Sequence, residues 1–220
     1  MKQKLTQFVY LAIGGMTMKT SISLREAWNN HYRKDFFRLL VLFIVTSIAS
    51  YFIFRSFVTS EQIEEILTQI GDMFESRGLT FDTSAFDTMI ALFVNNTRVA
   101  LLAFLLGMIP LFIPYVFIVV NAAIIGLVAM IVDFAGESVM KVIALGILPH
   151  GITEISAILL GAAMGLSLNR HIWHRMRGKE TDVTLKALFF VGVKMFLFIV
   201  VPLLAISAVI EAYVTPLLLQ

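Results

Sequence analysis

The chain has 220 residues, of which 59% are hydrophobic and 15% charged, with a formal net charge of +2. Soluble domains carry about 25% charged residues, so at a mean hydropathy of +0.88 this chain lacks the polar surface to coat a particle in water. Soluble enzymes, secreted domains and disordered proteins are excluded, and the class that fits is an all-α polytopic membrane protein. With no cysteine, disulfides, thiolate nucleophiles and thiolate metal sites are excluded as well.

Residues 1–35 read as a cytoplasmic or interfacial segment with no cleavable signal peptide. Leu5, Phe8, Val9, Ala12 and Met16 recur at helical spacing, which predicts an amphipathic helix, either on the membrane surface or docked. Ser23 and Glu26 fit a capping box, so a second short helix is expected from Leu24. Its Trp28 and Tyr32, beside Arg33 and Lys34, suit the water–lipid boundary.

The membrane domain is expected over 36–211, with about five spans. The first is 36–58, whose Arg38 and Arg55 can snorkel at its ends. Residues 59–91 form an acidic helical insert, with seven Asp/Glu against Arg77 alone. Ile63, Ile66, Leu67 and Ile70 predict an amphipathic helix there, ended by Gly78, with another beginning after Asp82. Residues 92–132 are too long for one span. Pro110 and Pro114 break them into spans at about 92–109 and 113–132, or into a re-entrant pair. The fourth span is 142–168, interrupted by Pro149; a basic loop follows at 169–184; the fifth span is 185–211, with Pro202 inside it.

Seven Lys/Arg lie between the start and Arg38, and five more lie within 169–186. Basic loops stay cytoplasmic. Five spans then put the N-terminus inside, the acidic insert outside and the C-terminus outside.

Ionisable residues within a bilayer are costly and usually face a bundle interior. His150 and Glu154 are four residues apart, hence on one helix face, and Ala157, Gly161 and Gly165 continue that face. At 100° per residue all five fall within about 80°. Small residues let another backbone approach, so this face should meet a neighbouring helix. It is either a packing seam with a buried polar pair or a functional polar site. The stripe can pack between protomers as readily as within one, so a homo-oligomer also fits. Helical rise from the basic side puts Lys194 and Asn121 roughly 13 Å deep and Glu154 roughly 20 Å deep. A buried Glu154–Lys194 ion pair with Asn121 bonded to one member is therefore expected. Arg98 is expected as a boundary anchor if its span begins near residue 97, and as a deep cation if it begins near 92. His150 and Glu154 are too few ligands for zinc, and His31, His171 and His174 suit a basic surface near headgroups. No metal, cofactor, catalytic residue or nucleic-acid partner is expected.

Residues 148–165, LPHGITEISAILLGAAMG, resemble the signature of the stage II sporulation protein M family, a His-Gly-x-x-Glu core followed by a small-residue helix. Residues 93–126 are similar to a second motif of that family, carried here by Asn96, Gly107, Asn121 and Gly126. Ala122, Thr153 and Ser156 depart from the family pattern, which marks a relative of the sporulation protein. The resemblance implies a bacterial or archaeal cytoplasmic-membrane protein without enzymatic activity. It would act as a scaffold or anchor for membrane or cell-wall-enzyme partners. The alternative is a transporter or channel-like protein whose polar site is formed by Asn121, His150, Glu154 and Lys194.

Overall fold

A computed structural model describes residues 18–76, 84–111 and 113–219. The predicted N-terminal amphipathic helix, and the helix end at Gly78, lie outside these residues. Among the described residues there are six long helices and no strands. They are α1 Leu24–Phe57, α2 Ser60–Ser76, α3 Ala85–Leu105, α4 Ile113–Phe134, α5 Val139–Met176 and α6 Leu185–Leu218. All but α2 are long and apolar enough to cross a membrane. The protein is thus an all-α, multi-pass membrane protein.

The helix starts follow local chemistry. Ser23 Oγ accepts from the Glu26 N–H at 3.1 Å, as the capping box predicts. The expected short helix and first span, however, are one 34-residue helix. A π-helical turn at Trp28–Tyr32 carries the chain through the junction. Tyr32 is not a boundary residue: it is buried, and its hydroxyl donates to the Leu188 carbonyl at 3.3 Å. Ser84 caps α3 by accepting from the Asp87 N–H at 3.2 Å. Helix α3 therefore starts seven residues earlier than 92. Two full-length helices replace the short pair that made a re-entrant hairpin plausible. Pro110 sits in the α3–α4 turn and Pro114 in the first turn of α4, where a missing N–H costs little.

The later prolines are accommodated differently. Pro149, Pro202 and Pro216 each follow a π-helical turn, at Val142–Ile147, Phe196–Val200 and Ile210–Val214. In the wider i→i+5 pattern the chain steps over the N–H that proline lacks. Helices α5 and α6 thus continue, and α5 runs to Met176, eight residues into the expected basic loop.

Helix α5 is the hub. From Ala157 to Asn169 every residue is buried, as expected of a helix surrounded on all sides. The glycines act where backbones touch. A Cβ on Gly161 would lie 2.7 Å from the Ala100 oxygen of α3, and one on Gly165 would strike the Ala103 oxygen. Gly126 of α4 does the same against Ser47 and Tyr51 of α1, with Ser47 O only 2.5 Å from a built Cβ. The predicted packing residues Ala157, Gly161, Gly165 and Gly126 are all buried. At the acidic end, Arg55 Nε donates to Asp133 Oδ2 at 2.8 Å and Tyr51 Oη to the same oxygen at 3.2 Å, so Arg55 clasps α4. Around the bundle, apolar side chains such as Phe52, Phe57 and Phe198 stand exposed, as a lipid-facing surface requires.

Candidate functional site

Helices α5 and α6 bring three titratable groups together. His150 and Glu154 share a face of α5, as their spacing predicts. Glu211, from the π-helical turn of α6, completes the group. One nitrogen or oxygen from each lies within 4.8 Å of the others, and all three residues are half-buried. Ser207, Glu211 and Thr215 stand along one side of α6 facing them. Ser207 Oγ donates to the His150 carbonyl at 3.2 Å. Thr215 Oγ1 donates to the Ile210 carbonyl and lies 3.3 Å from His150 Nδ1. With its own proton committed, the Thr215 oxygen accepts from Nδ1–H, an assignment made from the hydrogen-bond pattern. The Nε2 lone pair is then left for the cluster. Glu211 Oε2 is buried with no hydrogen-bond partner among the described residues.

A cavity of about 60 Å³ opens on the other side of His150 and Glu154, between α1, α4 and α5. Phe43, Ile118, Asn121 and Gly151 help line it. Asn121 belongs to this wall, but its amide donates to the Phe117 carbonyl at 2.7 Å and so is turned back onto its own helix. Chemically, two carboxylates and an imidazole so close together in an apolar bundle need a proton or a cation among them.

The expected Glu154–Lys194 pair does not form among the described residues. Lys194 is exposed on α6. The reason is helix length. Because α5 ends at Met176, Glu154 lies roughly 33 Å along the helix from the basic end, against roughly 13 Å for Lys194. Of three alanines that regular helical spacing would put on the Lys194 face of α6, Ala187 and Ala208 are buried, whereas Ala205 is exposed. The π-helical turn between Ala187 and Ala205 resets the face. Arg98 is likewise no part of a buried site: it is exposed, near the middle of α3 and not at its start. Asn96 is buried and accepts from Asn95 Nδ2 at 3.1 Å.

Two features were missed in the sequence. Glu211 was hidden as the last residue of the predicted fifth span, where an acidic residue reads as a span end; Ser207 and Thr215, four residues to either side, were the signal that could have marked it. The other feature lies at the basic end. Asp35, almost fully buried, bonds Arg170, whose second nitrogen donates to the His31 carbonyl at 3.1 Å. Beside this pair His31, His171, His174, Glu180 and Asp182 line a polar pocket of about 410 Å³. His171 is buried in α5, not on a surface loop.

The stage II sporulation protein M family model matches residues 8–216. An uncharacterized protein of Methanocaldococcus jannaschii is 26% identical over 142 residues, which cover 64% of this chain and 62% of that protein. The match therefore spans under two thirds of the relative's length. No solved structure matches. The chain belongs to the stage II sporulation protein M family.

Proposed function

We propose that this member of the stage II sporulation protein M family is a non-catalytic scaffold of the cytoplasmic membrane. It would hold a basic protein partner on its extracytoplasmic side. The observation that carries this reading is α2. The helix has five Asp/Glu and no Lys or Arg, and it lies at the end of the bundle opposite the 177–184 loop and the basic last turns of α5, which carry Arg170 and Arg175. Ile63 is buried, while Leu67 is 47% exposed among Glu61, Glu64 and Glu65. Helices that lie on lipid carry basic polar faces drawn to anionic headgroups. An acidic helix with an apolar stripe is suited to a basic protein surface instead. Positive-inside logic supports the orientation, because the basic segments share one side and α2 lies on the other. Wall-remodelling enzymes are the partner class that family membership favours, and a second copy of the chain is a further candidate for assembly. A solute pathway draws little support from a cavity of about 60 Å³, which holds a few waters or one ion.

The test is cross-linking in native membranes with a Glu64→Lys/Glu65→Lys/Leu67→Ser variant. Recovery of the cross-linked partner should fall by about tenfold or more, as expected when an apolar anchor and its complementary charges are lost. Membrane insertion should be unchanged. Equal recovery from variant and wild type would contradict the reading.

A further inference from the structure

We propose that His150, Glu154 and Glu211 bind a single divalent transition-metal cation between α5 and α6. The inference goes beyond the scaffold reading and does not depend on it. Sequence spacing offered two ligands on one helix; the fold supplies a third from another. The three candidate ligand atoms lie within 4.8 Å of one another. Ligands around a tetrahedral zinc stand about 3.4 Å apart, so small side-chain rotations close the site. Two independent features point to a ligand here. Glu211 Oε2 is buried with no hydrogen-bond partner among the described residues, an orphaned acceptor in an apolar bundle. His150 is held by α6 itself: Thr215 Oγ1 lies 3.3 Å from Nδ1, and a bond from Nδ1–H to that oxygen leaves Nε2 as the nitrogen with a lone pair to offer. Metal-binding histidines are commonly supported in this way.

Charge selects the cation. Two carboxylates and one neutral imidazole carry −2, which a divalent ion cancels and a monovalent ion does not. The donor set, one nitrogen and two oxygens without sulfur, suits Zn²⁺, Co²⁺, Mn²⁺ or Fe²⁺ over soft ions such as Cu⁺. Water can fill the remaining positions, as at zinc sites with three protein ligands. The bound ion would cross-link α5 to α6 where the π-helical turn interrupts the regular ladder of α6.

The test uses the tag-free full chain in nanodiscs, stripped with chelator and titrated with Co²⁺ as an optical probe, followed by displacement with Zn²⁺. The expected result is one Co²⁺ per chain with a visible ligand-field spectrum that Zn²⁺ removes. Glu211→Gln and Glu154→Gln should each weaken binding by more than the about 10–100-fold that loss of a supporting residue costs. His171→Ala, in the basic-end pocket, should leave binding unchanged. Failure of wild type to bind one Co²⁺ overturns the proposal without recourse to any variant. So does wild-type affinity in both Glu variants, or loss of binding in His171→Ala. If one Glu variant fails to fold, the other carries the same expectation.

Discussion

A Gly165→Val variant will be strongly destabilised. The first side-chain carbon would strike the Ala103 carbonyl oxygen of α3 and come 3.1 Å from Pro114 Cγ of α4. The opposing residue, Gly107, has no room either, since its own Cβ would fall on the Gly165 backbone. A flexible side chain can swing away from such a clash, whereas a helix backbone must shift as a whole. Overpacking a well-packed core costs about 1–3 kcal/mol, occasionally more, and a clash against backbone belongs at the upper end. That is a large part of a typical total of about 5–15 kcal/mol. The shift would also loosen the turn that Asn169 Nδ2 holds through the Ile109 carbonyl at 2.7 Å. Thermal unfolding and size-exclusion profiles in detergent will show aggregation or a sharply lowered midpoint. Gly151→Ala is the matched control. Its Cβ would meet Ile147 Cγ2 at 3.4 Å and Ile155 Cδ1 at 3.6 Å, both ordinary contacts. Removing a helical glycine is worth about 0.5–1 kcal/mol, so stability should hold or rise. Equal behaviour of the two variants would refute close backbone packing at Gly165.

Arg170→Ala will destabilise the basic end by about 3 kcal/mol, the lower end of the range for stripping one partner from a buried ion pair. The Asp35 side chain is 2% exposed and the Arg170 side chain 39%, so it is the carboxylate that would be stranded. Arg38, 3.6 Å away and largely exposed, offers only partial compensation. The guanidinium also bonds the His31 carbonyl, and so fastens the start of α1 to α5. A lysine cannot make both contacts from one planar group, so Arg170→Lys should recover only part of the loss. The double variant Asp35→Asn/Arg170→Ala should be more stable than Arg170→Ala alone, because no unpaired carboxylate remains. Unfolding midpoints of the four proteins in one detergent decide the matter. A double variant less stable than Arg170→Ala would show that the two side chains act independently.

The five apolar stretches and the glycine–alanine face of α5 were legible because they are periodic and lie within single helices. His150 and Glu154 were legible for the same reason. What lay beyond reach were features that depend on how far a helix runs or which helices meet. The buried pair was assigned to Lys194 because α5 was taken to end at 168, eight residues short of Met176. Polar residues such as Asn169, Arg170 and His171 read as loop, yet they continue the helix because Asn169 bonds the α3–α4 turn and Arg170 has Asp35 as its counter-charge. The π-helical turns leave no pattern in a count based on 3.6 residues per turn. They moved Ala205 out to the surface and surround Glu211, the residue whose role spacing did not reveal. Arg98 read as a boundary anchor or as a deep cation depending on where α3 begins, and that start is set by the Ser84 cap and not by the apolar run.

The proposed orientation has an odd number of crossings, with α2 outside and the 177–184 loop inside. The protein has no cysteine, so single cysteines report without background from the chain itself. Thr68→Cys on α2, Lys179→Cys in the loop and Leu219→Cys after α6 are all at exposed positions. Each is treated in intact cells with a membrane-impermeant maleimide. The account predicts labelling at 68 and 219 in intact cells, and at 179 only after permeabilisation. Labelling at 179 in intact cells, or protection of either 68 or 219, would contradict it.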